Sequence, residues 1–191
     1  MVVAETTQCT HLAAPNMVRT KKFLCALASG PVVISTDFID ACIKKKAIQE
    51  VDDFLLKDVA NEKKFKLKLK DSVARAKTNK RVLLRGVPIY CTEHVRAGWE
   101  TYRDIIAANG GTCGLYKGRP VIKKVSAEED DGPAEPVYLI SVPKDKEMWE
   151  KFTIMAKEGN MIPKIVNVDW ILDVAMSQQM ASADKYLVKD Q

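Results

Sequence analysis

The sequence predicts an α/β chain of two similar units, each a small parallel β-sheet flanked by helices. Three observations lead there. The chain repeats itself: Pro31 to Asp58 falls on Pro163 to Asp190 without a gap, and so long an offset means two domains rather than a solenoid. Short β-branched stretches alternate with stretches whose apolar residues recur at helical spacing, and strands alternating with helices imply a parallel sheet. A length of 191 residues leaves roughly 90–100 for each of two units.

In the aligned segments Pro31 meets Pro163, Val33-Ile34 meets Ile165-Val166, Thr36-Asp37-Phe38-Ile39 meets Val168-Asp169-Trp170-Ile171, and Phe54 to Asp58 meets Tyr186 to Asp190. The shared pattern is a β-branched strand, a helix opening at an aspartate, and a short apolar segment.

In unit one, Cys9 to Ala13 reads as a strand, and Arg19 to Ser29 as a helix with Phe23, Leu24, Leu27 and Ala28 on one face, ended by Gly30. Val32 to Ile34 is a buried strand. Thr36 to Lys46 is a helix, with Phe38, Ile39 and Cys42 or Ile43 expected inward. In unit two, Val82 to Leu84 and Ile89 to Cys91 supply strand material. Trp99, Tyr102, Ile105 and Ile106 form a helical face that stops at Asn109-Gly110-Gly111. Val137 to Ile140, Glu147 to Lys157, Lys164 to Val166 and Val168 to Gln178 complete the set. A counterpart in unit one to the strand, helix and Gly-Gly turn of Val82 to Gly114 is expected to lie before Met1.

Between the units, Lys57 to Arg81 is strongly basic, with Phe65, Leu67 and Leu69 alternating with lysines. It reads as a bridge with one packed and one wet face; a nucleic-acid or nuclear-import role is the alternative. Residues 127–136 are acidic and turn-rich, and are expected to form a loop.

Net charge is +5, which suits an anionic partner without reaching the density of a nucleic-acid-binding arm. No apolar run approaches the ~18–20 residues that span a bilayer, and no signal-peptide core opens the sequence; an intracellular protein without membrane contact is expected. The five cysteines are scattered without a CxxC pair, and fit small buried hydrophobes in a reducing compartment. His11 and His94 have no companions at ligand spacing, so neither metal nor cofactor is expected.

Enzyme signals are thin. Asn109 to Gly114 is glycine-rich but follows a helix, whereas a dinucleotide loop follows a strand. A cysteine nucleophile, Cys113 or Cys25 with His11 as base, has nothing in the sequence that brings it together. More informative is Asn16 to Cys25, where Arg19, Lys21 and Lys22 crowd a helix start beside Thr20. Cations there oppose the helix dipole, which makes sense if an anion is held at the exposed N–H groups; a solvated helix start is the bland alternative.

RTKKFLCALASG, PVVISTDFIDACIKKK and DDFLLKD, then RGVPIY, the IIAANGGT turn, VYLISVPKD and VNVDWILDVAMSQQM, together resemble the tandem BRCT repeat. Asp169-Trp170 matches the hallmark aromatic of the third helix of that repeat, with Phe38 in its place in unit one. The likeness is to the carboxy-terminal pairs of mediator-type DNA-damage checkpoint scaffolds and of fungal multi-BRCT scaffolds.

The resemblance implies two BRCT-type domains packed in tandem: 1–58, the first repeat, lacking its N-terminal strand and helix; 59–80, a basic linker; and 81–191, the second repeat. It implies a non-catalytic nuclear module, expected to be monomeric. The implied ligand is a phosphoserine near the carboxy terminus of its protein, as in a damage-phosphorylated histone tail. Lys22 then matches the phosphate-binding lysine, and Thr20 helps cap the helix or order the pocket. Arg19 matches the arginine that reaches the third residue after the phosphate or its terminal carboxylate, Leu24 lines the groove for an apolar residue, and Lys144 adds to the far wall. A hydroxyl and a glycine N–H from a strand before Met1 would complete the pocket. DNA contact through the basic linker, or binding of an unphosphorylated partner, is the rival function.

Overall fold

A computed structural model describes residues 9–123 and 133–188. Unit one runs β1 (His11–Ala14), α1 (Lys21–Leu27), β2 (Val32–Ser35) and α2 (Asp37–Lys45). The basic bridge folds as two helices, α3 (Val59–Phe65) and α4 (Leu69–Asn79). Unit two runs β3 (Pro88–Cys91), α5 (Trp99–Ala108), β4 (Thr112–Leu115), β5 (Glu135–Ile140), α6 (Glu147–Glu158), β6 (Met161–Val166) and α7 (Asp169–Ser177).

All named strand pairs are parallel. β1 pairs with β2 with His11 opposite Val32, and the four-stranded sheet of unit two has the order β4-β3-β5-β6. Successive residues of β5 serve opposite faces, as the two-residue period of a strand requires. Tyr138 and Ile140 join the core that contains α1, α5 and α7. Val137 and Leu139 join a second core with Tyr116, Phe152 and Met155. Helix α6 therefore lies on the sheet face turned away from unit one.

The internal repeat survives as hydrogen bonding. Ile34 bridges antiparallel to Leu55, and Val166 to Leu187. The Leu56 N–H donates to the Val33 carbonyl and the Val188 N–H to the Ile165 carbonyl, each at 3.0 Å. At the helix starts, Ser35 Oγ accepts the Asp37 N–H (3.2 Å), and Asn167 Oδ1 accepts the Asp169 N–H (2.9 Å).

The units meet through α1, which packs on α5 and α7. Its spacing puts Phe23, Leu24 and Leu27 on one face, and Leu24 and Leu27 are wholly buried. Each such leucine contributes about 1.5–3 kcal/mol by leaving water. Gly30 then turns the backbone at φ +63°, where a Cβ would stand 2.6 Å from Lys77 Cγ; only glycine permits this approach of α4. In the Asn-Gly-Gly turn, a Cβ on Gly110 (φ +79°) would collide with the Arg81 carbonyl oxygen.

Several sequence expectations are corrected. The first helix begins at Lys21 with Thr20 as N-cap, so Arg19 precedes it. Residues Val82 to Leu84 form turn rather than strand, although Leu84 is fully buried. The α2 face is not inward: none of its residues is buried, and Ile39 and Ile43 are exposed. In the bridge, the Phe65-Leu67-Leu69 alternation marks the joint between two helices, with those residues packing and the lysines between them wet. Most of the acidic 127–136 stretch lies outside the described residues, and Glu135 and Pro136 already belong to β5.

Candidate functional site

The cation-rich approach to α1 is tied to the bridge. The Met17 N–H donates to Asp58 Oδ2 at 2.8 Å. The same carboxylate caps α3 by accepting the Asn61 N–H (3.1 Å) and the Asn61 side-chain amide (2.7 Å). These donors, the Asn61 side chain foremost, hold the Asp58 carboxyl below the usual carboxylate range.

Two residues on, Arg19 crosses to unit two. One terminal nitrogen donates to Asp169 Oδ1 at 2.9 Å, the other to Asp173 Oδ1, one turn along α7. The guanidinium lies over the Phe65 ring, 4.9 Å from its centroid. Asp173 also accepts the Tyr186 hydroxyl. Planar, with five donors, arginine suits such a bridge between α7 and the linker. Lys21 pairs with Asp104 of α5, which also takes Arg103, and Lys21 and Arg103 hold its carboxyl low.

Two of the three cations in this segment are thus engaged by unit two. Lys22 is the third: exposed on the first turn of α1, with no hydrogen bond or ion pair among the described residues. Thr20 Oγ1 accepts the Phe23 N–H at 3.4 Å, capping the helix, while its own O–H still has a proton to donate.

One implied site residue is corrected. Leu24 is wholly buried in the inter-repeat core, because the helix face that carries it is the one pressed on α5 and α7; it cannot line an open groove. Lys144 is exposed in the 3-10 turn leading into α6. Arg19 meets unit two at α7, through Asp169 and Asp173. Only the spacing of those two aspartates, i and i+4 on one helix, could have signalled them.

Cys25 and His11 each have other partners. The Cys25 thiol donates to the Asp104 carbonyl (3.6 Å), and burial pushes its pKa up; His11 Nδ1 is 3.0 Å from Thr10 Oγ1. Among the described residues no cluster of three or more His, Cys, Asp or Glu could hold a metal ion, and no helix is long and apolar enough to cross a membrane.

The comparisons with known proteins agree with this architecture. The family profile described as "BRCT domain" matches residues 82–187, and that described as "Regulator of Ty1 transposition protein 107 BRCT domain" matches residues 1–56. The chain belongs to the BRCT family. BRCT-containing protein 1 of Schizosaccharomyces pombe is 28% identical over 186 residues, 96% of this chain and 21% of that protein. Mediator of DNA damage checkpoint protein 1 of Homo sapiens is 34% identical over 105 residues, 55% of this chain and 5% of that protein. The chain thus spans about a fifth or less of these relatives. The solved BRCT5-BRCT6 domains of S. pombe Brc1 match with a TM-score of 0.77 at 28% identity, covering 97% of this chain and 85% of that one. The complex of Rtt107p with a phosphorylated histone matches in fold, with a TM-score of 0.67 at 18% identity over 100% of this chain and 80% of that one. Both BRCT units are α/β and packed in tandem, and unit one has two strands among the described residues where unit two has four.

Proposed function

We propose that this BRCT pair is a non-catalytic reader of a phosphoserine close to the carboxy terminus of its partner, within a nuclear DNA-damage scaffold, and that its ligand is a damage-phosphorylated histone tail. Residues 1–58 and 81–191 are its two repeats, bridged by 59–80. The observation that carries this reading is Lys22, exposed on the first turn of α1 without a partner among the described residues, two positions after the capping Thr20. It is supported by Rtt107p, which shares the fold and has been solved with a phosphorylated histone.

The chemistry fits. Phosphoserine brings about −1.5 to −2 charges and three acceptor oxygens, to which Lys22 offers a charge-assisted donor and Thr20 its hydroxyl proton. Arg19 has a narrower role than a free fork: both terminal nitrogens are engaged by Asp169 and Asp173 and its Nε is buried, so only the second N–H of each terminal nitrogen is left to meet the third residue after the phosphate or its terminal carboxylate.

The test is titration with a phosphoserine peptide ending three residues after the phosphate, as free acid and as amide, against the unphosphorylated peptide. A charge-assisted hydrogen bond is worth about 1.5–3 kcal/mol, so Lys22→Ala weakens the phosphopeptide by roughly 10- to 150-fold. Arg19→Ala costs the free acid more than the amide. Equal binding with and without phosphate sinks the reading; equal Arg19→Ala losses on acid and amide sink the carboxylate role.

One observation favours a second reading, DNA contact. Between α3, α4 and the end of α7 lies a groove of about 620 Å³ lined by Lys63, Lys66, Lys68 and Arg75 together with Glu62 and Asp71, with Lys68 paired to Glu62. Binding there falls steeply with salt and survives Lys22→Ala.

A further inference from the structure

Unit two is wound so that its chain leaves the middle of the sheet in two directions. From β3 it crosses through α5 to β4 on one side, and from β5 through α6 to β6 on the other. In parallel sheets of this kind, ligands bind outside the carboxyl ends of the two strands where the winding diverges. Here Asp145, from the turn between β5 and α6, fills that place.

Asp145 is only 6% exposed. Its Oδ2 accepts the His94 backbone N–H at 3.2 Å, and its Oδ1 lies 2.5 Å from His94 Nδ1; both groups belong to the loop that leaves β3. The buried Thr92 hydroxyl faces the same carboxylate and shares a hydrogen bond with Ser141 Oγ (3.1 Å), which also accepts the Trp149 indole N–H (2.8 Å). Burial pushes the Asp145 carboxyl up, but the hydrogen bonds from Thr92 and His94 outweigh it and leave the group below the usual carboxylate range. A hydroxyl, a main-chain N–H and an imidazole thus hold a buried anion. The same donors suit a phosphate group, which offers three acceptor oxygens. The same edge of the sheet carries exposed cations, Lys144 beside Asp145 and Lys117 and Arg119 in the turn that leaves β4, with Glu93 opposing them.

Unit one differs at the matching place. β1 pairs with β2 as β5 pairs with β6, so the segment after β1 is the counterpart of the one that carries Asp145. From Pro15 to Ser29 it contains no aspartate or glutamate.

We propose that the carboxyl edge of β3 and β5 is an oxyanion seat for phosphate-type groups, occupied by the side chain of Asp145 as an internal ligand. Asp145 thereby keeps the second repeat from taking a phosphate, and emptying the seat without removing its donors turns it into a phosphate site. This holds whether or not unit one reads a phosphoserine.

The experiment measures thermal stabilisation by inorganic phosphate, against chloride at equal ionic strength, in the 191-residue protein and in its Asp145→Ala and Asp145→Asn variants. All three carry Lys22→Ala, so that a phosphate site on unit one does not enter. Asp145→Ala is expected to gain roughly 2–4 °C in melting temperature at a phosphate concentration ten times its dissociation constant, with the His94 imidazole NMR signals shifting in the same titration. Asp145→Asn keeps the seat filled by a neutral side chain, and the protein with Asp145 keeps its own carboxylate; neither gains, and His94 moves in neither. Equal gain in all three overturns the proposal by placing the anion elsewhere. Equal gain in the two variants overturns it by making lost charge, rather than an emptied seat, the cause. No gain over chloride in Asp145→Ala overturns it outright. If Asp145→Ala is unfolded in chloride, phosphate is expected to restore its fold, read by circular dichroism; failure to do so, or a phosphate-induced shift of His94 in the protein that keeps Asp145, overturns the proposal.

Discussion

Helices α2 and α7 begin alike and end in different surroundings. Each follows a β-branched strand, opens at an aspartate whose N–H is capped by the side chain two residues back, and is followed by a segment that hydrogen-bonds to that strand. Yet six residues of α7 are buried and none of α2 is. The motif is enough to start and orient the helix, because its signals are local. Burial comes from neighbours: α7 has α1, α4 and α5 around it, and α2 has the Phe54 ring, met edge-on by Phe38 at 5.6 Å.

The sharpest way to break this comparison is at the aligned aromatics. Trp170 is fully buried, stacks on Tyr138 at 4.2 Å and donates its indole N–H to the Ala181 carbonyl. Trp170→Ala is expected to cost about 3–5 kcal/mol in urea unfolding, and Phe38→Ala about 1 kcal/mol, in line with its partial burial. Similar losses at both would mean that α2 is covered as well as α7. Next comes the joint between the units: Leu24→Ala should cost about 2–4 kcal/mol, visible as one cooperative transition shifted to lower urea, whereas two separate transitions would show the units fold independently.

A smaller effect is electrostatic. Lys21 and Arg103 hold Asp104 below the ordinary carboxylate range, so its contribution to stability is present above pH ~4 and fades as pH falls through the lowered value. Asp104→Asn should flatten the acid limb of the stability–pH curve and cost about 0.2–1 kcal/mol at neutral pH, the scale of a partly exposed pair. Smallest of all, Ile43→Ala in the 191-residue protein should stay within about 0.5 kcal/mol by the same urea measurement, since its side chain has little contact to lose.

These contrasts also mark how far the sequence could be read. The β2–α2 and β6–α7 copies were legible because duplication, β-branched runs and helix-opening aspartates are signals carried within a few residues. The Ile39 and Ile43 face was misread because helical periodicity reports that a face is apolar and is silent on whether anything meets it. At the site, the cations Arg19, Lys21 and Lys22 stood out through their clash with the helix dipole. Their division into two that pair across to unit two and one without a partner among the described residues did not, since Asp104, Asp169 and Asp173 are far away in sequence. Leu24 was misplaced for the same reason: adjacency to Lys22 along the backbone puts it on another side of the helix, more than half a turn round, where it is dry.

The Arg19 bridge gives the pair the character of a caliper whose jaws share a pin. Since Asp169 and Asp173 hold the Arg19 guanidinium, any slip of the second repeat against the first pulls on the segment that leads into α1. Damage confined to α7 would therefore be felt at the start of α1, in the other repeat.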